Sequence, residues 1–102
     1  MLYSIIAEDF PESLQLRVQN RPAHLERLKQ LQSQGRLVFA GPCPAIDNED
    51  PGPAGFTGSL IIAEFESLDQ AKLWASNDPY KLNGVYDRIT VKPVKKVFPN
   101  ND

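Results

Sequence analysis

The order in which hydrophobic periods follow one another constrains this chain most. Leu2 to Ala7 is a short apolar run with Tyr3, Ile5 and Ile6, closed by Glu8 and Asp9, and reads as a buried strand. Ser13 to Gln34 is rich in Leu, Gln, Arg and Glu, all good helix formers. At about 100° per residue, Leu14, Val18, Leu25 and Leu28 share one side of that helix, with Leu31 at its margin. Gly35 supplies a stop. Pro22 removes a backbone donor, which predicts a kink or a restart with Asn20 as its cap. Leu37 to Ala40 reads as a second strand that ends at Gly41-Pro42, and Gly58 to Phe65 as a third.

Ser67 and Gln70 form a capping-box pair that opens a second helix, carrying Ala71, Trp74 and Ala75 inward. It stops at Asp78-Pro79, because a residue before proline avoids the helical region. Tyr80 to Gly84 is a short connection. Val85 to Val94 is the last strand, and Pro93 confines at least that end to an edge or a bulge. Lys95 to Phe98 extends it as an arm. Between the second and third strands, Cys43 to Thr57 forms a long loop with three prolines and the acids Asp47, Glu49 and Asp50.

The resulting order is βαββαβ, the split βαβ pattern of the α+β, ferredoxin-like fold. It predicts a four-stranded antiparallel sheet with two helices on one face, in a single domain over residues 1–102. The opposite face of such a sheet needs cover. A chain this short can bury only about 60–65% of its unfolded surface, so a second copy is the expected cover, in a homodimer or higher homo-oligomer.

Net charge is −2, and the clustered positive charges are only Lys92, Lys95 and Lys96. That excludes a nucleic-acid-binding field. No apolar run approaches the roughly 20 residues that span a bilayer, and Met1 to Glu8 has no basic leader. The expectation is a cytoplasmic protein that acts without a membrane. The single cysteine, Cys43, allows no intrachain disulfide and no cysteine metal cluster. One His with Asp47, Glu49 and Asp50 has no metal-ligand spacing, so no metal is expected.

His24 is the only histidine. It lies about 40° from Leu28 and about 20° from Leu31 on the wheel, with Arg17 and Arg21 within about 60° of it. An imidazole beside two guanidiniums on a half-apolar face suits proton transfer on an anion. The same position suits a structural histidine on a polar flank. Asp78 ends the second helix, where its carboxylate can reach a ring nitrogen on the neighbouring helix, or can serve only as a turn residue. Gly41, Pro42, Gly58 and Ser59 sit at the facing ends of the second and third strands. There glycines permit close approach of a ligand and Ser59 offers a hydroxyl, although such residues are also ordinary turn punctuation. Cys43 reads as a bystander.

Several stretches together resemble the YciI-like family: Tyr3-Ser4-Ile5-Ile6-Ala7, Arg21-Pro22-Ala23-His24-Leu25, Gly35-Arg36-Leu37-Val38-Phe39-Ala40-Gly41-Pro42, Gly58-Ser59, Asn77-Asp78-Pro79-Tyr80 and Val91-Lys92-Pro93-Val94. The resemblance spans nearly the whole chain. It implies a ferredoxin-like domain that pairs into a dimeric α/β barrel. It also implies a catalytic pair, which on this sequence is His24 and Asp78. The family is similar to small-molecule enzymes sharing that barrel, including dehydrochlorinases and muconolactone-type isomerases.

Two functions follow. In the first, a His24/Asp78 dyad performs general acid–base chemistry, of elimination, isomerisation or hydrolysis type, on a small anionic organic substrate. Arg17, Arg21, Gly41, Pro42, Gly58, Ser59 and Tyr80 form its binding site, and no cofactor is needed. In the second, the chain is a non-catalytic small-ligand-binding or accessory interaction domain that presents the 43–57 loop.

Overall fold

A computed structural model describes residues 1–100. The elements are β1 (Leu2–Asp9), α1 (Leu14–Ser33), β2 (Leu37–Pro44), β3 (Phe56–Glu64), α2 (Leu68–Ser76), α3 (Pro79–Leu82) and β4 (Tyr86–Val94). The four strands form one antiparallel sheet in the order β2-β3-β1-β4. This is the expected ferredoxin-like α+β arrangement.

Alternation along the strands decides what faces the helices. Ile5 lies opposite Ile61 on one side and Val91 on the other, and Ala7 opposite Ser59 and Ile89. These rows carry the core with Tyr3, Ala63 and Phe65 from the sheet side, and Leu28, Leu31, Ala71 and Ala75 from the helices. Ile5 and Ile61 are essentially dry, and each contributes about 1.5–3 kcal/mol by burial. The other face holds Leu60 and Ile62, half-buried, with Ile6 43% and Phe39 50% exposed.

Three local expectations need correction. Pro22 neither breaks nor restarts α1, which runs unbroken from Leu14 to Ser33. Pro22 faces solvent, where water can satisfy the backbone carbonyl that its missing N–H leaves free. Asn20 is no cap; its amide donates to the Leu16 carbonyl at 2.9 Å, and its side-chain oxygen accepts from Asn83 at 2.8 Å. Second, the stripe facing the sheet is Arg17, His24, Leu28 and Leu31, while Val18 is 64% exposed. Polar partners on the sheet and on α3 draw the N-terminal half of α1 round by its charged side. Third, the connection after Asp78 is itself a turn of helix. Asp78 caps α3 by accepting from the Tyr80 backbone N–H at 2.9 Å, and Pro79 occupies the first helical position. The capping of α2 by Ser67 is as expected, with the Gln70 N–H donating to it at 3.1 Å.

Strand β2 extends to Pro44 and β3 starts at Phe56, so the long loop shrinks to 45–55. The Ala45 N–H donates to the Gly55 carbonyl at 2.9 Å and closes its base.

Candidate active site

The N-terminal half of α1 lies over the ends of β1 and β3, and two buried acids meet it there. Alternation sends Asp9, the last residue of β1, inward. The register between β1 and β4 shifts after Glu8. This bulge leaves Asp87 unpaired and turns Tyr86 inward beside Asp9. Arg17 then closes the space. Its Nε and Nη2 donate to the Asp9 carboxylate, and Nη2 also donates to the Gly58 carbonyl at 2.8 Å and to Ser59 Oγ at 2.9 Å. Burial alone would lower the Arg17 pKa, but the hydrogen bond and charge of Asp9 outweigh it and raise it. Arg17 is therefore a fixed cation with a fixed counter-ion.

Two turns further along α1, His24 is 6% exposed. Its Nδ1 sits 2.9 Å from each oxygen of Asp78. The carboxylate also accepts the Tyr80 N–H and lies 3.7 Å from an Arg27 nitrogen. An ionised carboxylate only accepts, so the tautomer that fits this contact is the one with its proton on Nδ1. Among the described residues Nε2 has no protein hydrogen bond. The Tyr80 ring stacks on the imidazole at a centroid distance of 4.0 Å and an 11° tilt, and Tyr86 approaches edge-on at 6.5 Å. Tyr80 also lies 4.9 Å from the Arg17 guanidinium carbon, so one ring spaces the arginine from the histidine.

His24 borders a cavity of about 290 Å³. Arg17, Arg21, Ser59 and Tyr80 supply its polar edge, and Gly41 and Pro42 form part of its wall. Leu14, Val18, Leu25, Phe56 and Ile61 make most of the rest apolar. The leucines and Val18 read from the sequence as core are thus, in part, the lining of a hollow. Burial pushes the Tyr80 phenol up, against a smaller pull down from Arg17 and Arg21, so it stays protonated. Burial pushes Tyr86 up further; its hydroxyl lies beside Ser59 without closing a hydrogen bond of good geometry. A larger trough of about 840 Å³, on the side of Trp74 and Arg36, contains neither His24 nor Asp78.

Of the residues singled out from the sequence, His24, Arg17, Arg21, Gly41, Pro42, Ser59 and Tyr80 border the one cavity. Asp78 stands behind His24. Gly58 is the exception. It does not line the hollow, and its lack of a side chain serves the sheet, since a Cβ there would lie 2.0 Å from the Ala7 carbonyl oxygen. Its contribution is the carbonyl that Arg17 binds. Arg17 differs from expectation as well: its Nε and Nη2 are spent on the protein, so Arg21 is the exposed guanidinium at the rim. Asp9, Arg27, Phe56 and Tyr86 were not foreseen. An acid closing β1 eight positions before an arginine was the only signal for the first.

Among the described residues, no helix is long and apolar enough to cross a membrane. No group of three or more His, Cys, Asp or Glu side chains is gathered as metal ligands among them either.

Comparison with known proteins agrees with the fold and gives the family. Protein YciI of Escherichia coli O6:H1 is 59% identical over 98 residues, covering 96% of this chain and 100% of that protein. A Haemophilus influenzae protein is 57% identical over 98 residues, with the same coverage. Derivative of benzaldehyde biosynthesis cluster protein C of Emericella nidulans is 37% identical over 83 residues, which is 79% of this chain and 85% of that one. Among solved structures, 5-chloro-2-hydroxyhydroquinone dehydrochlorinase from Burkholderia phenoliruptrix, in complex with 2,5-dihydroxybenzoquinone, superposes with a TM-score of 0.81 at 32% identity. That match covers 93% of this chain and 94% of the dehydrochlorinase. The model of the YCII-related domain matches residues 1–95, and the chain belongs to that family.

Proposed function

We propose that the cavity is an active site in which His24 acts as general base and acid on a small, single-ring, anionic organic molecule. The observation that carries this is an imidazole committed to Asp78 through Nδ1 while its ring borders a mostly apolar hollow. Nε2 is then the nitrogen left for a substrate proton, and Asp78 sets the tautomer and steadies the imidazolium that forms.

Size limits the substrate. A cavity of roughly 150 Å³ holds benzene, so about 290 Å³ suits one substituted ring. Arg21 at the rim attracts an oxyanion or carboxylate, because guanidinium matches planar anions. The protonated Tyr80 and the Ser59 hydroxyl add neutral donors. The dehydrochlorinase of similar fold, with its quinone ligand, supports a hydroxylated aromatic class and an elimination. In such a step the substrate reacts as its keto tautomer, in which one hydroxyl proton has moved to the halogen-bearing carbon. His24 takes the proton of a second hydroxyl, and the electron pair of that O–H bond forms a carbonyl. The adjacent ring double bond shifts to the halogen-bearing carbon, and the halide leaves with the electrons of its bond to carbon. Proton transfer of this kind calls for no cofactor.

The test is turnover. Incubating the protein with a panel of single-ring hydroxylated, carboxylated and halogenated aromatics is expected to give a change in ring absorbance, or halide release, with at least one member. Tight binding across the panel with no conversion of any member would favour the ligand-binding reading instead.

The second copy belongs to the same reading. The bare sheet face with Ile6, Phe39, Leu60 and Ile62 is continuous across three strands, and we assign it to a partner of the same chain. Sedimentation equilibrium is expected to give a dimer at micromolar concentration, and Ile6→Lys, at the centre of that face, to shift it to monomer. A wild-type monomer at high concentration contradicts the assignment.

A further inference from the structure

We propose that Arg27 is a positioning residue for the His24–Asp78 pair, keeping the Asp78 carboxylate ionised and in place while His24 is the neutral base. The proposal rests on the reading of His24 and Asp78 given above.

The need for such a residue is electrostatic. Asp78 is 1% exposed. When His24 carries no charge, a buried carboxylate without a counter-ion draws a proton to the pair, and the imidazole, the more basic of the two groups, takes it. The Tyr80 N–H helps, but it brings no charge. Charged and titratable groups face the pair from every side. Arg17 on α1 is neutralised by Asp9 of β1. Tyr80 after α2 and Tyr86 on β4 stay protonated, since burial raises both. Arg21 is exposed, and water weakens its field. Arg27, with Nη1 3.7 Å from Asp78 Oδ2, is the cation left within 4 Å of the carboxylate among the described residues.

The chain builds Arg27 into that place. It lies one turn after His24 on α1, so both side chains reach toward α2. At the end of α2 the Asp78 N–H donates to the Ala75 carbonyl at 3.1 Å. The Trp74 carbonyl, which an unbroken helix would pair with that N–H, is free, and Arg27 Nη2 donates to it at 2.8 Å. The guanidinium also lies 4.3 Å from the Trp74 ring centroid. Nη1 is buried and makes no hydrogen bond. At 3.7 Å it is too far for one with Asp78 but close enough for Coulomb attraction. It therefore biases the carboxylate without competing with His24 for either oxygen.

The single histidine makes the test direct. The ring nitrogens of ¹⁵N-labelled protein are followed against pH in wild type, Arg27→Gln, Arg27→Lys and Asp78→Asn. Arg27→Gln keeps a donor for the Trp74 carbonyl and removes the charge. Its doubly protonated imidazole is expected to persist to higher pH than in wild type, by about half a pH unit or more. Both effects of losing the cation have this sign: repulsion of the imidazolium is gone, and the carboxylate now depends on it. Arg27→Lys is expected to return the curve toward wild type. If Arg27→Gln does not fold, Arg27→Met carries the same expectation. Curves for Arg27→Gln and wild type that coincide, while Asp78→Asn still perturbs the ring, overturn the role of Arg27 alone. A ring insensitive to Asp78→Asn as well removes the dyad and the proposal together.

Discussion

Arg17→Met is expected to cost about 3–5 kcal/mol of folding stability, because it leaves the Asp9 carboxylate buried without a counter-ion. Asp9 has a side chain only 1% exposed, and removal of Arg17 also strips donors from the Gly58 carbonyl and from Ser59. For a chain near 100 residues, each kcal/mol moves Tm by about 4–8 °C, so a fall on the order of 15 °C or more should appear by calorimetry. The double variant Arg17→Met with Asp9→Leu removes both charges and should regain much of the loss, since a buried pair replaced by apolar groups is often near neutral. A single-variant loss under about 1 kcal/mol would mean that the pair is solvated, as surface pairs are.

The second large effect concerns activity. Asp78→Asn is expected to lower kcat on a converted substrate by about 10²–10⁴, with KM changed far less. The reason is the tautomer. The amide introduced by Asp78→Asn would need its oxygen to accept the Tyr80 N–H, as Asp78 Oδ1 does now. Its NH2 would then face His24 Nδ1, which must become an acceptor. The proton moves to Nε2, and the nitrogen facing the cavity can no longer take one from substrate. Equal kcat in the variant and the wild type would show that Asp78 is only the cap of α3.

Much of the fold is legible in the sequence, and the departures from it share a cause. Strand and helix order follow from period changes and from breakers such as Gly35 and Pro79, which act locally, although β2 runs through Pro42 to Pro44. Ser67 with Gln70 behaves as its spacing predicts. Val18 and Arg17 depart from expectation because the wheel assumes that apolar residues face the core. Here the sheet beneath the N-terminal half of α1 offers Asp9 and Ser59, and their demand for a cation outweighs the exposure of Val18. The pairing of Asp9 with Arg17 depends on a strand end and a helix start meeting in space, which no local pattern encodes. The same holds for Arg27 and Asp78. The short helix after Asp78 carries its full signature in the sequence, a capping aspartate followed by proline, but at four residues it is too short for a periodic pattern to separate it from a connection. His24 and Asp78 stood out through the family resemblance more than through their spacing.

The proposed function depends on one ring. His24→Gln keeps a polar, uncharged side chain of similar reach beside Asp78 and Tyr80 and removes the capacity to carry a proton. The decisive measurement is kcat/KM of folded His24→Gln against wild type on the best substrate from the aromatic panel, with binding measured on the same samples. The account predicts a loss of about 10² or more in kcat/KM with ligand affinity held within about tenfold. A folded His24→Gln protein that turns over at the wild-type rate would contradict it.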